Sequence, residues 1–594
     1  MSTGKNSKNY IVTVDQEKIE PDLAEGTVIN FDPLNRAGKK GGFYLTDEGE
    51  LHIDNEDVME AHKMAINKYP YDDAIKMIQL PFEEGEKVHQ FSENSFRLYG
   101  LPAPQKGHVV GVIGRNGIGK SLSFGILSGD VKPNLGRYGE DIDWNKILER
   151  YRGTDLQTQF KKLSRDEVEA SVKPQQVEQI PEKYSGDVRE FLEDSGSDTE
   201  RLIEALDLEN LMDRNLDELS GGELQRVAIA STLLEEADLY MFDEPSSFLD
   251  VKQRLKAGRE IRRLGEERLT MVIDHDLATL DLVSDNVNIF FGEAGSYGMV
   301  SDSFSAREGI NSYLEGYLPN ENIRFRPEEI SFDRTKRSSV ENNNEVLSFG
   351  SMQKSFGEDG FSLETPEGSI HEEEILGVFG ENGLGKTVFA KMLAGAIEPE
   401  EGEAPDASIS YKPQYLEAQD ATVKEALSAH ANPDSKRFEN RIGEPLDLEE
   451  LFEQNLQELS GGELQRVGIA VTLSRDADLY LLDEPSAFLD VESRVSLAKT
   501  LKRYSRKTEK PMMVIDHDLM MMDYISDRGI VFTGEPGEKG SATEILRIDE
   551  AMNRFLKEVD LTYRKDPETN RPRANKPGSQ KDQEQRAKDE YYEQ

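Results

Sequence analysis

Two glycine-rich turns in this sequence could hold a triphosphate: Gly114-Arg-Asn-Gly-Ile-Gly-Lys-Ser121 and Gly380-Glu-Asn-Gly-Leu-Gly-Lys-Thr387. Backbone N–H groups around Gly114, Asn116, Gly117 and Gly119, and around Gly380, Asn382, Gly383 and Gly385, can point at phosphate oxygens beside a helix N-terminus. Lys120 and Lys386 add point charges, and the Ser121 and Thr387 hydroxyls suit Mg2+. Downstream, Asp243-Glu244 and Asp483-Glu484 each close an apolar run. The aspartate can hold Mg2+ through water, and the glutamate can orient an attacking water. His275 and His517 follow the aspartates by 32 and 34 residues and read as sensors of the terminal phosphate.

Positioning these groups requires buried strands that run into the turns. Val109-Val-Gly-Val-Ile113 is such a strand, and a helix is expected to open at Ser121. The octapeptide Leu219-Ser-Gly-Gly-Glu-Leu-Gln-Arg226 recurs unchanged at 459–466, so a whole phosphate-binding domain is repeated. The layout expected is 1–80, a small α+β domain; 81–318, the first repeat; 319–342, a hinge; 343–548, the second repeat; 549–578, a basic hinge; and 579–594, a flexible tail. In the first domain, short strands are expected at 43–45, 51–53 and 75–80, with a helix at 57–67. The repeats differ by an insertion: Lys120 to Gln175 spans 55 residues, Lys386 to Gln414 only 28. The extra residues, about 138–165, carry Trp144, Ile147, Leu148, Tyr151, Leu156, Phe160 and Leu163 at helical spacing.

Composition narrows the function classes. With 71 basic and 116 acidic residues the net charge is −45, which suits a hydrated surface in concentrated salt. There is no cysteine, which excludes disulfides and thiolate-held metals or clusters. No apolar stretch is long enough for a membrane span or secretory signal, so a cytoplasmic protein without membrane contact is expected. Against the acidic background, 564–576 holds five basic and two acidic residues, an island suited to phosphate.

The two turns, Gln175 and Gln414 (each in Lys-Pro-Gln), the octapeptides, the carboxylates, Asp250 and Asp490 (each ending Pro-Ser-x-Phe-Leu-Asp) and the two histidines resemble the ATP-binding-cassette ATPases. The match is closest to class E, the ribosome-recycling or RNase L inhibitor family. It rests on Asn116-Gly-Ile-Gly-Lys, Lys132-Pro-Asn-Leu-Gly-Arg137, Tyr317-Leu-Pro-Asn-Glu-Asn-Ile-Arg-Phe-Arg326, Asn553-Arg-Phe-Leu-Lys557 and the string from Arg564 to Lys576.

The resemblance implies an α/β P-loop fold with two cassettes head-to-tail behind a ferredoxin-like domain, a monomer with two internal ATP sites. Lys120 would face the signature Ser460, Gly461, Gly462 and Glu463. Lys386 would face Ser220, Gly221, Gly222 and Glu223. Ser121, Gln175 and Asp243, and Thr387, Gln414 and Asp483, would surround Mg2+. Glu244, Glu484, His275 and His517 would be catalytic, and Asp250 and Asp490 would form the Asp-loops. Phe91 and Phe96 would stack on adenine, with Phe356 and Phe361 as more weakly placed counterparts; any of them could instead serve the core, the second pair equally so. The insertion would be the family's helix–loop–helix facing the small ribosomal subunit. Arg324, Arg326, Arg564, Arg571, Arg573 and Lys576 would meet its rRNA, and release-factor-like or initiation factors would be partners.

The family's first domain binds two [4Fe–4S] clusters through cysteines. Here that spacing falls on Met59, His62, Ala65, Tyr69 and Pro70, and Asp32-Pro-Leu-Asn-Arg36 replaces Cys-Pro-x-Asn-Arg. No cluster is expected. Leu122 and Val388 stand where the family has a second Thr, but the Mg2+ hydroxyl is kept, so hydrolysis should persist. The leading expectation is an ATPase that splits ribosomes or occupies the small subunit. The alternatives are a non-splitting, ATP-gated ribosome-binding regulator and, more remotely, a transporter's cassette subunit.

Overall fold

The computed structural model describes residues 10–71, 74–81, 86–192, 197–331, 344–357 and 360–593. In the first cassette the strands lie in the order His89–Gln90, Arg97–Tyr99, Tyr297–Ser305, Asn286–Glu293, Val109–Ile113, Leu269–Ile273, Leu239–Asp243 and Ala170–Lys173. The last five are mutually parallel. Every residue of Val109–Ile113 and of Leu239–Asp243 is buried, because helices cover both faces of a parallel sheet. That is why these strands are continuous apolar runs. The second cassette repeats the order around Ile375–Phe379, Met512–Ile515 and Leu479–Asp483.

Register brings the chemistry together. Ile273 pairs with Asp243, and Ile515 with Asp483, so each histidine two residues on sits beside its glutamate. Among the described residues, no helix is long and apolar enough to cross a membrane.

The N-terminal domain pairs Tyr10–Val14 with Ile75–Gln79 antiparallel, and Tyr44–Leu45 with Leu51–His52. The strand Tyr10–Val14, a run of aromatic and β-branched residues, is not among the strands expected above. The helix expected at 57–67 is reduced to Glu60–His62 and Lys63–Ile66. The domain is anchored to the first cassette by Ile11 and Leu80 packed with Tyr99 and Tyr297. Val14 N–H also donates to the Asn94 carbonyl at 2.9 Å.

The insertion forms helices Trp144–Arg150 and Leu156–Leu163, with Tyr151 and Phe160 stacked at 4.4 Å between ring centroids. Of the hinge at 319–342, residues 332–342 lie outside the described residues. The tail expected to fray beyond 578 is instead folded. Gln580–Lys588 is a helix capped by Ser579, and Tyr592–Glu593 joins the strand Tyr563–Lys565. Polar anchors replace the apolar ones that pattern reading looks for: buried Asp582 accepts from Thr562 Oγ1 at 2.6 Å and from Gly578 N–H at 2.8 Å.

Candidate active sites

Each phosphate loop ends in a glycine whose backbone no other residue adopts freely. Gly119 and Gly385 both have φ of +89°, and a Cβ at either would lie 2.8 Å from the ring of Phe96 or Phe361. The helices Lys120–Ser128 and Lys386–Leu393 begin directly after them. Lys120 Nζ donates to the Gly114 and Arg115 carbonyls at 3.0 and 2.6 Å, and Lys386 Nζ to those of Gly380 and Glu381 at 2.8 and 2.7 Å. Both ammonium groups are thus curled back over the loop, where the chemistry asks for phosphate.

The Ser121 hydroxyl donates to Asp243 Oδ2 at 2.9 Å and Thr387 to Asp483 Oδ2 at 2.8 Å. Each hydroxyl–carboxylate pair is an all-oxygen donor set that fits a hydrated divalent cation. Asp483 has a further partner, Tyr411 Oη at 3.3 Å, where the first cassette has Val172.

The glutamates are held under strain. Glu244 and Glu484 have φ of +49° and +46°, in the left-handed region that long side chains avoid. Several contacts enforce it. Glu244 N–H donates to the Ile273 carbonyl at 2.8 Å, and Gln225 and buried Lys173 donate to the backbone oxygens at 243–244. Lys412 does the same at 483–484. Burial lowers both lysines to about 8 despite the nearby carboxylates. Lys173 and Lys412 are support residues that sequence reading missed; their signal was an alternating strand ending in Lys-Pro-Gln.

Glu244 Oε1 accepts from Gln175 Nε2 at 2.6 Å and lies 3.6 Å from His275 Nε2; for Glu484 the distances are 2.8 Å to Gln414 and 3.5 Å to His517. Burial, reinforced by Asp243, pushes Glu244 above the usual carboxylate range. Burial and Lys120 push His275 well down, so it is neutral at pH 7. At the second site burial also acts upward on Glu484, but the neighbouring His517 and Lys386 override it and hold the carboxyl at about 2. His275 Nδ1 and Nε2 and His517 Nε2 have no hydrogen-bond partner among the described residues, leaving buried polar atoms for a terminal phosphate.

The second cassette completes the first cassette's site. A cavity of about 870 Å³ is lined by Lys120, Ser121, Gln175, Asp243 and Glu244 on one side and by Ser460, Gly461 and Gly462 on the other. Phe91 and Phe96 line it too, with Phe91 59% exposed. Phe361 is placed against Gly385 as Phe96 is against Gly119, and Phe356 is exposed like Phe91. Ser220 and Ser460 cap their signature helices in reciprocal boxes with Glu223 and Glu463. Gly222 is required because a Cβ would meet the Phe248 carbonyl oxygen at 2.9 Å. The Asp-loop carboxylates divide their oxygens. Asp490 caps its own helix through Ser493 N–H and accepts Asn116 N–H at 3.2 Å, while Asp250 caps through Gln253 N–H and accepts Asn382 N–H at 2.9 Å.

Arg571 and Arg573 do not face outward as expected of rRNA contacts. Arg571 is fully buried and donates to Asp281 Oδ2 at 3.2 Å, and Arg573 donates to both oxygens of Asp281 at 2.6 and 2.9 Å. Arg326 is turned inward as well, to Glu492 at 2.9 Å and the Tyr313 and Leu314 carbonyls. Arg324 and Lys576 are exposed and Arg564 is half-buried. Buried Asp281, elsewhere in the fold, claims two of the charges that the basic island seemed to offer.

An ABC transporter family model matches residues 104–247 and 363–487. An ABC transporter ATP-binding protein of Methanocaldococcus jannaschii is 44% identical, covering 98% of this chain and 97% of its own length. Translation initiation factor RLI1 of Saccharomyces cerevisiae is 39% identical, covering 99% and 98%. This chain belongs to the class E ATP-binding-cassette ATPases. A structure titled as a complex of archaeal ribosomal stalk protein aP1 and archaeal ribosome recycling factor aABCE1 matches with a TM-score of 0.80 at 47% identity, covering 85% of this chain and 99% of that one. A model of ribosome-bound archaeal Pelota and ABCE1 matches with a TM-score of 0.92 at 43% identity, covering 98% and 99%. As a class E ATPase the chain binds and hydrolyses ATP.

Proposed function

We propose that this protein is a cytoplasmic ATPase that acts on ribosomes, separating subunits and holding the small subunit. The observation that carries this reading is the composite site: the cavity at Lys120 is lined by the opposite cassette's Ser460, Gly461 and Gly462. Binding between cassettes draws them together, and hydrolysis lets them part, a hinge-type switch. The N-terminal domain rides on the first cassette through the Ile11–Tyr99 cluster and meets the second through the exposed Lys76–Glu450 pair at 3.7 Å. Cassette motion therefore moves that domain relative to the second cassette. The names of the two archaeal complexes and of the yeast initiation factor support the ribosome as the target.

In the cycle, Glu244 and Glu484 orient water, His275 and His517 contact the leaving phosphoryl oxygens, and the Phe pairs hold adenine. Ser121 with Asp243, and Thr387 with Asp483, would hold Mg2+, which supplies charge neutralisation at the phosphates. Contact with rRNA falls to the insertion rather than to 564–576. Its stretch 144–165 has six basic and two acidic residues, and Lys146, Arg152 and Lys161 are exposed. Each phosphate contact should add about one unit to the salt slope of binding. Replacing those three by Glu should weaken co-sedimentation with small subunits and flatten its KCl dependence while ATP binding is kept. Unchanged binding would refute the RNA assignment.

The absence of cysteine favours a second reading, a non-splitting ribosome-bound regulator. A subunit-splitting assay with 70S-type ribosomes separates the two, since only the first reading expects free subunits.

A further inference from the structure

The residue after the first glycine of each phosphate loop has opposite sign: Arg115 in one, Glu381 in the other. Each faces the second residue after the opposing Asp-loop carboxylate, and those are also opposite in sign, Glu492 and Lys252. Arg115 Nε lies 3.6 Å from Glu492 Oε2. Lys252 Nζ donates to both Glu381 oxygens, at 3.2 and 3.0 Å. Glu492 is preset for its role, held by Arg326 at 2.9 Å and by Tyr313 Oη at 3.3 Å.

We propose that these charge-swapped pairs key each cassette to the other and against a second copy of itself. The loop and Phe contacts beside them are duplicated about the pseudo-twofold axis. Asn116 with Asp490 mirrors Asn382 with Asp250, and Phe248 meets Phe488 at 5.5 Å. Those contacts cannot tell a sister cassette from a copy. In the same head-to-tail geometry, two first cassettes would set Arg115 against Lys252 twice. Two second cassettes would set Glu381 against Glu492 twice. Only the mixed pairing joins opposite charges at both positions, so the partner rejected is another molecule of this chain. The Lys252–Glu381 side chains are 43% and 17% exposed, so discrimination weakens as salt rises.

The test uses the full chain in a Glu244→Gln/Glu484→Gln background, at the lowest KCl at which the unmodified chain stays folded. Lys252→Glu and Glu381→Lys should each shorten ATP retention at the Lys386 site by roughly three- to tenfold. The exchange Lys252→Glu/Glu381→Lys should restore it to within about twofold, because the attraction is rebuilt with its direction reversed. An exchange no better than the worse single variant overturns the proposal. Lys252→Glu/Glu492→Lys makes both intramolecular pairs repulsive and both like-cassette pairs attractive. It should therefore shift from monomer towards dimer with ATP in analytical ultracentrifugation. A folded monomer that retains ATP like its parent also overturns the proposal; should that variant not fold, the exchange experiment decides.

Discussion

Arg571 and Asp281 give the sharpest test of how the C-terminal segment is used. Asp281 belongs to the helix Leu277–Val283 that follows His275, and its side chain is only 2% exposed. It receives three hydrogen bonds, one from Arg571 and two from Arg573. Asp281→Ala leaves the Arg571 guanidinium buried with, among the described residues, a 3.4 Å hydrogen bond to Asn311 Oδ1 and the more distant charge of Asp566, which should cost about 3–5 kcal/mol. Arg571→Met is milder. Asp281 keeps its two bonds to Arg573 and the methionine fills the volume, so about 1–2 kcal/mol is expected. The cost should appear first as local opening of 561–593, read by amide hydrogen exchange at the strands Tyr563–Lys565 and Pro572–Ala574. A loss of about 4 kcal/mol means roughly a thousandfold faster exchange there. If Arg571→Met matches Asp281→Ala, or if Asp281→Ala speeds exchange less than about tenfold, the arginine is not a buried clamp. A drop in ribosome binding confined to Arg571→Met would return it to an RNA role.

Glu244→Gln and Glu484→Gln should each lower single-turnover hydrolysis at their own site by about 10²–10⁴-fold with ATP retained; undiminished turnover in the double variant would remove both from catalysis. Lys173, held at about 8 against an ordinary 10.5, is protonated in both states below pH 8 and deprotonates earlier when folded. The unfolded chain therefore binds more protons between pH 8 and 10.5, so the wild type should gain up to roughly 3 kcal/mol over Lys173→Met across that window, by calorimetry. A constant difference would show that the ammonium is not desolvated. In the N-terminal domain, Asp32→Ala should cost about 2–4 kcal/mol, since Leu34, Asn35 and Phe43 N–H groups lose their acceptor; a domain as resistant to proteolysis as before would contradict this. The same domain, made anaerobically with iron and sulfide, should show no cluster absorption or EPR signal.

What was legible in the sequence was what is local. A phosphate loop is eight consecutive residues between a strand and a helix, so its spacing alone identifies Lys120 and Ser121 before any fold is known. The duplication then assigns the carboxylates, signatures and histidines, because two chance coincidences at matching distances are implausible. Lys173 was readable only as part of Lys-Pro-Gln; its partner oxygens at Asp243 and Glu244 lie 70 residues away. The failure at 564–576 has the same origin. Five cations within thirteen residues look like an RNA island until Asp281, 290 residues upstream of Arg571, is placed against them by the fold. Local charge counts report affinity for phosphate only where no buried carboxylate competes.

The N-terminal domain shows how a frame can outlast the group it was built around. Asp32, at the position of a cluster cysteine in the family pattern, is fully buried and accepts three backbone N–H groups, at 2.7, 2.9 and 3.2 Å. A thiolate ligating iron also gathers backbone N–H donors, so a carboxylate can inherit that pocket. His62 Nε2 lies 3.4 Å from Asp32 Oδ2, and Phe43 packs edge-on to the imidazole at 6.2 Å. Tyr69, at the last cysteine position of the first run, fills space with a buried ring and donates through Oη to the Lys18 carbonyl at 3.0 Å. Hydrogen bonds and ring packing thus occupy the sites where metal–sulfur bonds would cross-link the domain. Such contacts break and re-form singly, whereas a cluster ties four points at once. What ties the domain to the rest of the chain is its anchorage on the first cassette, where Thr13 Oγ1 meets Ser296 Oγ at 2.8 Å beside the Ile11 and Leu80 cluster.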